Sequence, residues 1–283
     1  MRKSTTLITL LLLLPVALIA QTGSDNINPT RLSVKCTSIG TTFMNNLDTY
    51  LSGYNHTGGG LHLSHENFRD AHTAGYHWKR QTLLTADAGI ATLHSNTQLA
   101  AMLTYSFGGY HPWAATKRLQ LLAGAQIQAN CGALYIPTNG NNLVSAKMRA
   151  TLAASAMAIY RIPSVNGNYT LRGQLDIPLI GAMFAPEFGQ SYYEIFGLGQ
   201  YKNTIVLSHP ANSPSMRGTL SADIPVTLHK WSSTIRLTYT ADIFQSDIND
   251  IRTHTYNHSF AVGFVKTIYK VKNNDKLKQY SPF

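Results

Sequence analysis

Leu119-Gln120-Leu121-Leu122-Ala123-Gly124-Ala125-Gln126-Ile127-Gln128-Ala129 decides how this chain is to be read. Leu119, Leu121, Ala123, Ala125 and Ile127 fall on one side, and Gln120, Gly124, Gln126 and Gln128 on the other. Successive side chains of a strand point to opposite faces, so this period of two gives one apolar and one wet face. The same grammar returns downstream. Leu171, Gly173, Leu175, Ile177 and Leu179 alternate with Arg172, Gln174 and Asp176; Leu220, Ala222, Ile224 and Val226 alternate with Ser221, Asp223 and Thr227; Ile235, Leu237, Tyr239, Ala241 and Ile243 alternate with Arg236, Thr238, Thr240 and Asp242. Many two-faced segments in series predict an all-β fold, an antiparallel up-and-down transmembrane β-barrel with lipid outside and a polar interior.

The segments outside these runs set the strand count. A first strand is expected over 30–44, with Leu32, Val34 and Cys36 on one face and Arg31, Ser33, Lys35 and Thr37 on the wet one. Residues 45–60 read as a connection, with Gly58, Gly59 and Gly60 as a flexible way into the second strand. Strands follow around Leu61 and Leu63, Leu84 to Ile90 and Leu99 to Phe107, and then comes the segment quoted first. Residues 144–160 are rich in alanine and would suit a helix, but Leu152, Ala154, Ala156, Ala158 and Tyr160 share one strand face opposite Lys147, Arg149, Thr151 and Ser155. The last three strands fall at 216–228, 232–244 and 256–271, with a short one near 204–207. The expected total is about ten, within 8–12, and an even number suits a bacterial barrel. The longer connections 45–60, 137–142, 181–214 and 246–254 go to the outside, while 69–77 and 108–117 are long for inner turns.

The first twenty residues read as a cleaved signal peptide: Arg2 and Lys3 precede an apolar run from Leu7, which ends in the small residue Ala20. The remainder, 21–283, is expected to form a single barrel domain. Beyond Ala20 no stretch approaches the roughly 20 apolar residues of a spanning helix, so a membrane protein here would be a barrel. The chain carries net charge +10, or +8 without Arg2 and Lys3. Export argues against nucleic acid as the partner of that charge and points to outer-membrane lipid and lipopolysaccharide. The expected location is the outer membrane of a Gram-negative bacterium. Cys36 and Cys131 could pair in an oxidising compartment if they were neighbours. They have no metal-site spacing, the eleven histidines do not group as ligands, and no cofactor is indicated.

The wet faces supply Arg31, Lys35, Glu66, Asp87, Lys147, Arg149, Arg172, Asp176, Asp223, Arg236 and Asp242. In a barrel these converge on one interior, where ionised groups must find partners. A narrow lumen filled by paired charges is favoured over a narrow pore. A soluble periplasmic β-barrel binding an apolar ligand would alternate too, with its apolar face inward. One motif suggests chemistry: His62 and Ser64 form a His-x-Ser, the spacing used by outer-membrane lipid acyl hydrolases, with Glu66 placed to orient the imidazole. Alternation puts all three on the wet face, away from acyl chains, so a non-enzymatic protein is expected.

Leu47 to Ser52 with Tyr54 and Thr57, Met183 to Pro186, the run Gly189 to Phe196, and His254, His258, Ser259 and Phe260 together resemble an uncharacterised family of secreted proteins from Bacteroidetes, of the domain-of-unknown-function kind. The resemblance implies a Gram-negative envelope protein and supplies no catalytic residue. Its two main motifs fall in the connections assigned to the outside, which makes Asp48, Tyr50, Gln190, Tyr192, Tyr193 and Glu194 candidates for an outer-loop surface, with a packed loop over the barrel mouth as the alternative. The chain ends in Phe283, as barrels with a terminal aromatic do, but alternation fades near Val271.

Overall fold

Inside a bilayer no water is available to backbone N–H and C=O groups, so strands can cross only as a closed ring. The computed structural model describes residues 31–270, apart from 74–75, 95, 117, 141, 165–167 and 229–230. The leader 1–20, the terminal Phe283 and the side chain of Arg31 lie outside the described residues. The strands are β1 (Arg31–Asp48), β2 (Ser52–Thr73), β3 (Tyr76–Leu93), β4 (Asn96–Ala115), β5 (Leu119–Tyr135), β6 (Val144–Ile162), β7 (Tyr169–Phe184), β8 (Ile205–Ser208), β9 (Ser215–Leu228), β10 (Trp231–Ile248) and β11 (Ile251–Lys270). β1 to β7 pair antiparallel in chain order, as do β9, β10 and β11, and β1 closes on β11 from Arg31↔Lys270 to Asp48↔Thr253. The short β8 and the longer β9 both pair with β7, at different heights, so they share one position in the wall. The result is a closed antiparallel barrel of ten wall positions.

The two faces sort as the period of two requires. Ile39, Phe43, Leu61, Ile127, Leu220 and Phe264 stand exposed on the outer wall, while Ser38, Thr42, His62, Gln81, Gln126 and Gln128 are buried inside. This is the expected sense of a transmembrane barrel and the inverse of the alternative, a soluble barrel with an apolar ligand chamber. The alanine-rich segment at 144–160 is strand β6, paired along its length with β5. Among the described residues, no helix is long and apolar enough to cross a membrane.

The strands run further than the expected ones. Most of 45–60, 69–77 and 108–117 belongs to the ladders, leaving tight turns at 49–51 and 249–250. Gly58, Gly59 and Gly60 lie within β2 and are not its flexible start. They are small because neighbouring backbones approach them: a Cβ on Gly58 would sit 2.0 Å from the Ile90 carbonyl oxygen. Pro112 is accommodated by a bulge between Pro112 and Ala114.

Two further expectations are corrected on β1. The inward face carries Cys36, Ser38, Thr42 and Asn46, whereas Lys35 is exposed on the outer face with Ile39 and Phe43. Lys35 sits opposite Lys266, near the rim at which β1 begins and β11 ends, and there a lysine can extend its ammonium past the apolar belt. Cys36, buried inside, and Cys131, exposed outside, are both free thiols, because the wall stands between them.

Candidate functional site

The interior is built from short ionic and amide contacts that join strands far apart in sequence. Glu66 of β2 is the centre of the deepest layer. Arg172 of β7 donates from Nη1 and Nη2 to its two oxygens at 2.7 and 2.8 Å, and Arg236 of β10 also donates to it. Gln81 of β3 donates to the same carboxylate at 2.6 Å. Arg236 in turn forks onto Asp223 at 2.5 and 2.7 Å, the bidentate geometry in which guanidinium and carboxylate bind most strongly. Gln81 and Gln174 bond each other across the lumen at 2.9 Å, and Tyr110 donates to Gln81 at 2.8 Å. Asp176 accepts from Ser155 at 2.5 Å and from Gln174 at 3.0 Å. Beside this layer Tyr110, Leu122, Met157 and Ile159 form a buried apolar cluster with Phe68 against it.

Nearer the mouth, Arg217 pairs with Asp242 at 2.9 Å and reaches Thr85 at 3.3 Å. His62 and Asp87 form a bond of 2.7 Å between Nδ1 and Oδ1. Lys147 pairs with Asp48 at 2.7 Å. Arg149 donates to Ser215 Oγ at 3.0 Å and stacks on Phe244, 4.5 Å from the ring centroid. A cavity of about 80 Å³ lies among Lys147, Arg149, Met183, Phe184, Phe244 and Asp242, with Asp87 also on its wall.

Nine of the eleven expected interior charges thus face the interior: Glu66, Asp87, Lys147, Arg149, Arg172, Asp176, Asp223, Arg236 and Asp242. Lys35 does not, and the side chain of Arg31 is not described. Further interior charges went unnoticed in the sequence, namely Arg217, Asp48 and the Asp70–Lys79 pair between β2 and β3. Arg217 stands two residues before Thr219 on the wet face of β9, so extending that alternation toward the strand's start would have found it. Asp48, expected on an outer loop, is 1% exposed and faces inward from the end of β1, on the same side as Thr42 and Asn46.

The supposed His62, Ser64 and Glu66 triad does not assemble. Glu66 is taken up by Arg172, Arg236 and Gln81, and it is Asp87 of the neighbouring strand that holds the imidazole. Among the described residues no group of three or more metal-ligating side chains comes together.

The mouth is covered by the segment between β7 and β9, which includes a single π-helical turn, Tyr193–Gly197. Tyr50, 7% exposed, donates its hydroxyl to the Gln190 carbonyl at 2.7 Å, and the Tyr192 hydroxyl accepts from the Ala146 N–H at 2.6 Å. Tyr50 and Tyr192 meet edge to face at 5.9 Å, and Tyr192, Phe196 and Phe184 stack with centroids 6.2 to 6.3 Å apart. Burial, then the neighbouring acidic groups, pushes the Tyr50 phenol above its ordinary value. Burial raises that of Tyr192 as well. Glu194 caps the turn by accepting from Ser191 N–H at 2.7 Å and Ser191 Oγ at 2.9 Å, which holds its carboxyl below the usual range. Of the expected surface residues, Tyr50 and Tyr192 are therefore packing groups, while Tyr193 is 71% exposed.

An apolar outer wall around an interior of paired charges defines an outer-membrane type of β-barrel. The chain matches the family model "Protein of unknown function (DUF3316)" over residues 6–275 and belongs to that family. No curated protein sequence matches it. Among solved structures it is similar to the translocator domain of the autotransporter NalP from Neisseria meningitidis, with 11% identity, 87% of this chain and 90% of that chain covered, and a TM-score of 0.42. It is similar to the beta domain of the Bordetella autotransporter BrkA, with 12% identity, coverages of 86% and 100%, and a TM-score of 0.41. The outer membrane protease OmpT from Escherichia coli matches at 6% identity, with coverages of 88% and 99% and a TM-score of 0.39. Likenesses this distant say nothing of activity.

Proposed function

We propose that this protein is a closed-lumen barrel of a Gram-negative outer membrane, of the Bacteroidetes kind the sequence resembles, whose working surface is the cap over its mouth. The observation that carries this reading is the position of Glu66. Its carboxylate is shared by guanidinium groups from β7 and β10, and Gln81 and Gln174 bond directly between β3 and β7 in the same layer. About ten strands enclose a narrow interior, and side chains spanning it leave no continuous water path. Function then moves to the outer surface, as a structural or interacting component. The cap presents Tyr193, Phe196 and Tyr201, each more than half exposed. Together with the basic charge, these aromatics suit headgroups of outer-membrane lipid and lipopolysaccharide. The role is non-enzymatic on this reading, because Ser64 of the one hydrolase-like motif faces the packed interior, away from acyl chains.

Planar-bilayer recording tests it. The wild-type barrel is expected to be silent at every voltage, and the double variant Glu66→Ala, Arg236→Ala to conduct. Steady single-channel conductance of the wild type would overturn the closed lumen and leave a narrow pore.

A further inference from the structure

Arg149 has an environment unlike that of the other interior cations. Lys147, Arg172, Arg217 and Arg236 each face a carboxylate within 2.9 Å. Arg149 has no ion pair among the described residues. Its partners are Ser215 Oγ, the Asn130 amide oxygen at 3.5 Å and the face of Phe244. A guanidinium has five N–H donors, and two of those here are used in these bonds. The acidic groups on the same cavity are already engaged, Asp242 by Arg217 and Asp87 by His62.

The wall is interrupted beside this group. β7 pairs with β9 from Thr170↔Asp223 to Asp176↔Arg217, and with β8 from Gly181↔Ser208 to Phe184↔Ile205. Residues 177–180 on one side and 209–216 on the other have no register across that seam, the widest break in the ladder among the described residues. The chain at 209–214 satisfies its backbone elsewhere. His209 N–H bonds Asn212 Oδ1 at 2.9 Å and Ser213 N–H bonds the His209 carbonyl at 2.9 Å, while the carbonyls of Asn212 and Pro214 accept from Asp247 and Gln245 of β10. On the facing edge Pro178 has no N–H to offer, and a bulge turns Leu179 and Ile180 both outward. Ser215, which Arg149 holds, is the first residue of β9 and lies on this break.

The cavity is about 80 Å³, well below the roughly 300 Å³ or more that whole organic ligands occupy. It can take a head group and a few carbons, with Met183 and Phe244 on its apolar side, so anything longer must leave it. We propose that Arg149 binds the carboxylate or phosphate head of a single-chain amphiphile whose tail runs out through the seam between 177–180 and 209–216 into the outer leaflet. The seam supplies what an acyl chain needs, an apolar edge with no ladder to break. This site lies on the mouth side of the Glu66 layer and does not rest on the lumen being closed.

Calorimetric titration of the full-length barrel in dodecyl maltoside tests it, with dodecanoate and dodecyl phosphate as probes and dodecanol, acetate and inorganic phosphate as controls. Either anionic amphiphile is expected to bind at least about tenfold more tightly than dodecanol and than its own free anion. The tighter of the two identifies the head group. Arg149→Gln should remove that advantage over dodecanol, and Arg149→Lys should keep part of it, with heat-modifiable migration checking that each variant folds. Equal binding of dodecanoate, dodecyl phosphate and dodecanol to the wild type would overturn the site, whatever the variants do. Inorganic phosphate or acetate binding as tightly as the amphiphiles would overturn the tail route. Conductance of the wild type would overturn the closed lumen and leave this result untouched.

Discussion

Arg172 of β7 holds both carboxylate oxygens of Glu66 of β2 across the barrel interior, at 2.7 and 2.8 Å, although 106 residues separate them. Neither strand pairs with the other, so the contact stitches the ring through its centre. Removing the carboxylate leaves Arg172 and Arg236 buried without their shared partner. Glu66→Gln is expected to cost about 3–5 kcal/mol, the usual penalty for breaking a buried ion pair from one side. Urea unfolding in detergent, followed by heat-modifiable migration, measures it. A loss under about 1 kcal/mol would show that the layer does not cross-link the barrel.

The His62 and Asp87 contact points the same way for chemistry. Asp87 orients the imidazole at 2.7 Å, but Ser64 lies on the inward face of β2, away from the lipid wall. Ser64→Ala is expected to leave fatty-acid release from envelope phospholipid at the wild-type level. A clear drop in that release would restore the hydrolase and require acyl chains to reach the interior.

How far the sequence carried is visible in three residues. Leu32, Val34 and Cys36 alone put Lys35 on the wet face, but the parity of β1 is set further along, by Ile39 and Phe43 outside and Thr42 and Asn46 inside. Asp48 looked like a loop residue because polar and glycine-rich sequence follows it, yet in a barrel polar residues continue a strand on its wet face. Alternation reveals which charges face inward, and so made most of the interior legible. It does not reveal which charge meets which, because that depends on ring closure: Arg236 reaches Glu66 over 170 positions of sequence. The split of one wall position between β8 and β9 was equally hidden, since a ladder break leaves no mark on the period of two.

Acidification should loosen the cap locally. Glu194 has a lowered carboxyl pKa because Ser191 donates to it from its N–H and its hydroxyl. A depressed folded-state value means the contribution is fully present above the unfolded value, roughly 4.3, and is lost as pH falls through the lowered one. Protection of the Ser191 amide against hydrogen exchange is expected to hold at pH 6 and to fall toward pH 3. In Glu194→Gln that pH dependence should vanish. A protection profile equally steep in the variant would place the titrating group elsewhere.

Glycine spacing in β2 gives a test of the strand assignment itself. Gly53 and Gly58 lie on one strand, but a Cβ on Gly53 would meet nothing within 4 Å, whereas one on Gly58 would sit 2.0 Å from Ile90 O and 2.6 Å from the Ala91 Cα. Those atoms are backbone of β3 and cannot rotate away, so the ladder must shift. Gly58→Ala is therefore expected to destabilise by about 1–3 kcal/mol or to block refolding, as overpacking does, while Gly53→Ala stays within about 0.5 kcal/mol. Refolding yield into detergent, read by heat-modifiable migration, separates the two. If 45–60 were instead a flexible connection leading into the barrel, both alanines would be tolerated alike, because a loop has no neighbouring carbonyl for the new methyl group to strike.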